Sequence, residues 1–251
     1  MSDTEIKSAV REKYGQIAQK SNSCCGPTCG CGTEAGIAGT IIMNDLYSDV
    51  DPSIRENADL GLGCGIPTEF ADLKRGMTVL DLGSGAGIDV FVAAKEVGPT
   101  GKVIGVDMTK EMVVRARMNK NKLRAENTEF RLGEIENLPV DTESVDRVIS
   151  NCVINLVPDK RRAFGEMRRV LKPGGKFTVS DIVSVGEIPG EIRKDMTEWA
   201  GCVAGALDRE EYLGIVLEAG FREVKVVVDK PYSLDPFLPF ALHSITVSAT
   251  K

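Results

Sequence analysis

Met77-Thr-Val-Leu-Asp-Leu-Gly-Ser-Gly-Ala-Gly-Ile-Asp-Val-Phe-Val-Ala-Ala-Lys95 decides the fold of this chain. Thr78 to Leu82 is an apolar, β-branched run whose single charge is Asp81, the pattern of a strand buried on both faces. Gly83-Ser-Gly-Ala-Gly87 follows. Three glycines in five residues let the backbone turn sharply and let a ligand lie against bare peptide. Ile88 to Val97 reads as a helix, stopped by Gly98-Pro99. Strand, glycine turn and helix form the first unit of a doubly wound α/β nucleotide site, with the ligand at the carboxyl end of the strand.

The spacing here is G-x-G-x-G, whereas the dinucleotide fingerprint is G-x-G-x-x-G. A second strand, Lys102-Val-Ile-Gly-Val-Asp107, ends in an acid about 20 residues past the glycines, placed to accept both ribose hydroxyls. Glycines alone leave a plain NAD-type site open. Together, V-L-D-L-G-S-G-A-G and V-I-G-V-D resemble motifs I and II of class I S-adenosylmethionine methyltransferases. That resemblance implies that Asp81, Gly83, Ser84, Gly85, Gly87, Asp107 and Met108 bind the cofactor. It also implies that the turn after the third strand, Glu134-Ile135-Glu136, reads the adenine edge, with the choice between the two glutamates open. Asn151, ending the fourth strand, is expected near the methionine moiety.

Working outward, strands and helices alternate from residue 77 onward. Further strands are predicted at Thr128 to Leu132, Ser144 to Ser150 and Lys176 to Val183. Helices are predicted from Lys110 to Arg124, capped by Thr109, and from Pro158 to Leu171. Such alternation means a parallel sheet with right-handed crossovers. A helix from Glu191 to Gly201 interrupts it, and another runs from Asp208 to Gly220. Two last strands, Glu223 to Val228 and Leu242 to Ala249, joined by a Pro-rich loop, are expected as an antiparallel hairpin at the sheet edge. The fold class is thus α/β: a Rossmann-like class I methyltransferase sheet, mostly parallel, with a C-terminal antiparallel hairpin. Residues 1–75 would form an N-terminal helix, a Cys-rich loop and a cap region. Residues 76–251 would form the cofactor-binding core, with a cap insertion at 186–207. In the N-terminal part, Ser2 and Glu5 can form a capping box, and Ile6, Val10, Tyr14 and Ile17 share one helix face.

Composition narrows the function. No apolar run approaches the ~20 residues that span a bilayer, and the N-terminus has no signal-peptide core. A cytoplasmic protein without a membrane partner is expected. The net charge is −6 and the cations are scattered, which argues against a nucleic-acid partner. No heptad seam is visible, so the oligomeric state stays open. There are seven cysteines and one histidine, His243. Cytosolic thiols stay reduced, and an odd count fits a static disulfide framework poorly. A His-rich metal site is excluded. Cys24, Cys25, Cys29 and Cys31 lie in a Gly/Ser-rich stretch, but CC-x-x-x-C-x-C does not match paired zinc knuckles.

Three other cysteines stand in distant segments that this fold brings toward one rim. Cys64 sits between glycines before the core, Cys152 follows the fourth strand, and Cys202 lies in the cap insertion. No histidine base stands near them for an ordinary oxygen acceptor. Thiolates select soft, thiophilic centres. The set G-C-G-I-P, V-L-D-L-G-S-G-A-G, S-N-C-V-I-N-L-V-P-D-K, L-K-P-G-G and G-C-V-A-G-A-L, with an N-terminal S-C-C-G-P, resembles the arsenite S-adenosylmethionine methyltransferases over nearly the whole chain.

The resemblance implies methylation of thiol-bound As(III) from S-adenosylmethionine, serving arsenic detoxification. Cys152 and Cys202 would be the persistent arsenic ligands. Cys64 would be a third ligand or a redox partner. Cys24 or Cys25 would form a disulfide with Cys64 during the cycle, reset by thioredoxin or glutathione. Cys29 and Cys31 have no assigned place. Two other readings stay open: a methyltransferase for a small organic acceptor with structural cysteines, and a thiol-rich metal-binding or redox-sensing protein.

Overall fold

The computed structural model describes residues 2–19, 47–231 and 238–251. The stretch with Cys24, Cys25, Cys29 and Cys31, and most of the Pro-rich loop between the last strands, lie outside the described residues.

The chain begins with α1 (Asp3–Gln19). Its capping box forms: the Ser2 amide donates to Glu5 Oε2 at 2.7 Å, and the Glu5 amide donates to Ser2 Oγ at 3.3 Å. Ile6 and Val10 are buried. α2 (Pro52–Ala58) and a 3-10 turn at Pro67–Phe70 follow. The core then runs β1 (Thr78–Leu82), α3 (Ile88–Val97), β2 (Lys102–Asp107), α4 (Lys110–Leu123), β3 (Thr128–Leu132) and β4 (Val145–Asn151). After a 3-10 turn at Ile154–Leu156 come α5 (Lys160–Val170), β5 (Leu171–Val185), α6 (Gly190–Arg193), α7 (Met196–Ala200), α8 (Arg209–Glu218), β6 (Arg222–Pro231) and β7 (Ala241–Thr250).

Seven strands form one sheet in the order β3-β2-β1-β4-β5-β7-β6. The pairs from β3 through β5 are parallel, and β7 is antiparallel to both neighbours. β1 lies between β2 and β4, so the order reverses there and a crevice opens at the carboxyl ends of β1 and β4. Apolar side chains cover both sheet faces. Phe91, Val97, Val113 and Ala116 of α3 and α4 belong to one buried cluster, Phe164, Met167, Tyr212 and Val216 of α5 and α8 to another. A third cluster gathers Ile6, Val10, Leu156, Ile182, Ile188 and Leu242 around Cys64, Cys152 and Cys202.

Three local expectations change. α5 starts at Lys160, not in the turn of Pro158, because Asp159 caps it by accepting from the Arg162 amide at 2.9 Å. Thr109 holds the cap position of α4 without a side-chain cap; instead Asp107 Oδ1 accepts the Thr109 amide at 2.7 Å. The single helix expected from 191 to 201 divides into α6 and α7, since Asp195 Oδ1 takes the amides of Thr197 and Glu198 and opens a new N-terminus.

Candidate active site

The crevice at the reversal point is a cleft of about 1040 Å³ of empty space, part of it open to solvent. The glycine turn forms its floor. Gly83 has φ +65°, and a Cβ there would stand 2.5 Å from the Val153 methyls, so only glycine lets β1 turn this close to the loop after β4. Asp107 ties the turn to β2: its Oδ2 accepts the Gly85 amide at 2.9 Å. Two donors from the backbone leave this carboxylate with lone pairs to spare.

Asp81, Gly83, Ser84, Gly85, Asp107, Met108, Ile135, Glu136 and Asn151 all line the cleft. Two expected residues do not. Gly87 is the N-cap of α3 at φ +99°, where a Cβ would stand 2.8 Å from Phe91 and 2.9 Å from Phe130. It is a packing glycine, with no place in the lining. Glu134 instead pairs with Lys7 at 2.8 Å and with Arg11. Glu136 is the buried partner in the cleft, 2.9 Å from the same Lys7.

Several lining residues were not read as site residues from the sequence. Lys7, Val10 and Tyr14 come from one face of α1. Tyr47 and Asp89 join Asn151 in a buried network: Asp89 Oδ2 accepts the Tyr47 hydroxyl at 2.8 Å and the Asn151 amide at 3.2 Å. Asp89 Oδ1 is buried without a hydrogen bond. Among the described residues, Asp59, Asp81, Asp89, Asp107 and Glu136 face a single lysine, Lys7, across this lining. Burial raises the Asp81 carboxyl well above its ordinary range, and the charges of Asp89 and Asp107 add to the rise. A ligand with positive charge would relieve that repulsion.

The three thiols converge beside the cleft. Cys152 lines it, and Cys64 and Cys202 are buried in the same apolar cluster. Each is held from a different direction. Asn151 Oδ1 accepts the Cys64 amide at 3.0 Å, and Ser244 donates to the Cys64 carbonyl at 2.6 Å. The Cys152 amide donates to the Ser180 carbonyl at 2.7 Å. The Cys202 thiol reaches the Cys152 carbonyl at 3.6 Å. Cys152 and Cys202 both hold left-handed backbone, at φ +57° and +69°. Such strain in non-glycine residues clusters at functional sites.

The thiols are held protonated at neutral pH. Burial pushes the Cys64 thiol up, against hydrogen bonds from Cys152 and Ser244. Cys202 rises well above its ordinary value through its bond to Cys152 and through burial. For Cys152 the bond from Cys202 opposes the rise, but its bond to Cys64, burial and the nearby Asp181 carboxylate outweigh it. Among the described residues, no three Cys, His, Asp or Glu side chains form a ready-made metal cage.

A sequence profile described as a methyltransferase domain matches residues 73–220. The chain is 48% identical to an arsenite methyltransferase of Halobacterium salinarum over 88% of its own length and 59% of that protein's. It is 37% identical to the arsenite methyltransferase of Homo sapiens over 90% of its own length and 60% of that protein's. It thus spans less than two thirds of these curated relatives. Among solved structures it resembles an arsenic(III) S-adenosylmethionine methyltransferase from Chlamydomonas reinhardtii, with a TM-score of 0.72 and 35% identity, over 82% of this chain and 72% of that one.

Proposed function

Because the chain belongs to the arsenite S-adenosylmethionine methyltransferase family, we propose that it transfers a methyl group from S-adenosylmethionine to trivalent arsenic held by its own thiols. The observation that carries this reading is the meeting of Cys64, Cys152 and Cys202, from three remote segments, beside an acid-lined cleft at the glycine turn.

The cleft fits the cofactor. Its five carboxylates against one lysine suit a ligand bearing a sulfonium and an ammonium. Asp107 has acceptor capacity left for the ribose, and Glu136, the glutamate of that turn in the cleft lining, would accept from the adenine edge. The unpartnered Asp89 Oδ1 would accept from the ammonium. When bound, S-adenosylmethionine supplies an electrophilic methyl group. Everything else falls to the chain's own residues and the arsenic.

Loading of arsenite needs no base. Each thiol proton leaves with an arsenic-bound hydroxide as water, so neutral, buried thiols are competent ligands. Arsenic held by sulfur keeps a lone pair outside the pyramid, and that pair is the nucleophile; no histidine lines the cleft. The protein's contribution is orientation and exclusion of water. Methylation formally oxidises arsenic by two electrons. Cys64 with Cys24 or Cys25 would return them by closing a disulfide, and thioredoxin or glutathione would reopen it. A cytosolic setting, where thiols stay reduced, suits that cycle. Residues 1–75 would serve as cover and redox arm, and residues 76–251 as the transferase core.

The test is methyl transfer from labelled S-adenosylmethionine to As(III) in the presence of a thiol reductant. Methylated arsenic is the expected product. Transfer to an organic acceptor with no effect of arsenic would overturn the reading.

Asp89 offers a second measurement. Burial pushes its carboxyl up to about 6, against hydrogen bonds from Tyr47 and Asn151. The folded-state pKa lies above the unfolded one, so the fold favours the protonated form. Stability from that preference is present below about pH 4 and is lost as pH rises toward 6. Asp89→Asn is expected to raise the melting midpoint at pH 7.5 more than at pH 5, by the equivalent of roughly 1–3 kcal/mol at the higher pH. Affinity for S-adenosylmethionine should fall about tenfold to a hundredfold, the scale of one charge-assisted hydrogen bond. A midpoint gain that is the same at both pH values would reject the burial argument.

A further inference from the structure

Two asparagines bracket Cys152 in Ser150-Asn-Cys-Val-Ile-Asn155, and each bonds the backbone of one of the other two cysteines. Asn151 clamps the Cys64 loop, accepting the amides of Cys64 and Gly65 at 3.0 and 3.3 Å. Asn155 does the same for the cap. It is 1% exposed, and its side-chain amide donates to the Cys202 carbonyl at 3.1 Å.

Asn155 is itself fixed from beneath. Its backbone amide donates to Asp181 Oδ2 at 3.0 Å, and its carbonyl accepts Lys160 Nζ at 3.2 Å. Asp181 is fully buried, and its Oδ1 takes the Ile182 amide at 3.0 Å. The cap lies directly on this platform: a Cβ at Gly205 would stand 2.0 Å from the Asn155 carbonyl oxygen. Cys202 pays for its left-handed backbone within that same loop. Strained conformers of this kind cost on the order of 1–3 kcal/mol and persist only when the surroundings over-determine them. The Asn155 tether to the Cys202 carbonyl is one of the side-chain contacts that hold it, beside the bond from the Cys202 thiol to the Cys152 carbonyl.

We propose that Asn155 is a positioning residue that sets the spacing between the Cys152 and Cys202 sulfurs, and so the affinity for a soft trivalent ion. This deepens the arsenic reading of the same site and rests on it. Loss of the amide donor leaves the Cys202 carbonyl buried and unsatisfied. The loop relaxes out of its left-handed turn, and the Cys202 thiol swings away from Cys152. The cofactor cleft does not include Asn155 in its lining, so its affinity is separable.

Asn155→Ser and Asn155→Asp in the full chain test this. The probes are Cd²⁺, read by thiolate-to-metal charge-transfer absorption, and a trivalent phenylarsenical, read by emission of Trp199. That residue is the sole tryptophan and packs against the thiol cluster. Both variants should bind both probes at least about tenfold more weakly, the scale of one buried hydrogen bond with its strain, with S-adenosylmethionine affinity within about threefold. The loss should vanish when Cys202 is already serine, because the two residues then act through one thing. Val216→Ala, a core change in α8, lowers the melting midpoint for comparison and should leave probe affinity unchanged. Wild-type affinity in the Ser variant, or an equal loss in the Cys202→Ser background, would overturn the proposal. Should the wild type bind Cd²⁺ and ignore the phenylarsenical, the arsenic reading falls, and the spacing role is decided on Cd²⁺ alone.

Discussion

Cys152→Ser is expected to lower kcat/KM for As(III) methylation at least about 100-fold, roughly 2.7 kcal/mol in the barrier, with S-adenosylmethionine affinity within about twofold. A serine oxygen fills nearly the same space, so the left-handed turn and the buried cluster survive. What changes is softness: a hydroxyl is a poor ligand for a thiophilic centre. Arsenic held there would lose a sulfur on the wall that faces the donor, since Cys152 is the thiol that lines the cleft among the described residues. Cys202→Ser should behave alike. Cys64→Ser separates two roles left open for that residue. As a third ligand, Cys64 is needed for the first turnover; as a redox partner, it is needed only for later ones. Rapid-quench measurement of a single turnover reads the difference. If Cys152→Ser retains more than half the wild-type rate, the arsenic role is gone.

The sheet was legible because its signals are local. β1, α3, β2 and β3 fall where alternation, glycine and helix stops place them. The convergence of the cysteines was legible at one remove, because a doubly wound order brings the ends of β1, β4 and β5 to one crevice. Side-chain assignments beyond that were not local. Gly87 looked like a ligand glycine, but two phenylalanines, Phe91 and Phe130, claim the space its Cβ would need. Glu136 lines the cleft and Glu134 does not, and the ion pairs that hold Glu134 come from Lys7 and Arg11, more than 100 residues away in the chain. Asp89 and Asn155 read as an ordinary helix acid and a loop amide. Their roles exist only once Tyr47, Asn151 and the cap close around them. Nonlocal closure leaves no period in the sequence to find.

The second large effect lies at the other end of the cleft. Asp107→Asn is expected to weaken S-adenosylmethionine binding by about 100-fold or more, while thiol-probe binding by Cys152 and Cys202 holds. Each Asp107 oxygen already accepts a backbone amide, Gly85 on one side and Thr109 on the other. An asparagine NH₂ must replace one of those oxygens, so a donor is brought against a donor whichever way the amide is turned. Either the glycine turn or the start of α4 loses its anchor. The ribose would lose a charged acceptor as well, and hydrogen bonds to charged groups are worth about 1.5–3 kcal/mol each. Burial holds the Asp107 carboxyl above its ordinary range despite the Thr109 and Gly85 amides. Wild-type affinity should therefore fall as pH drops toward that raised value, because protonation turns one acceptor into a donor just as the mutation does. In Asp107→Asn the fall should be absent. Calorimetric titration of S-adenosylmethionine across the acid range measures both at once. An affinity in the variant close to the wild type's, with the same pH profile, would remove Asp107 from the cofactor site.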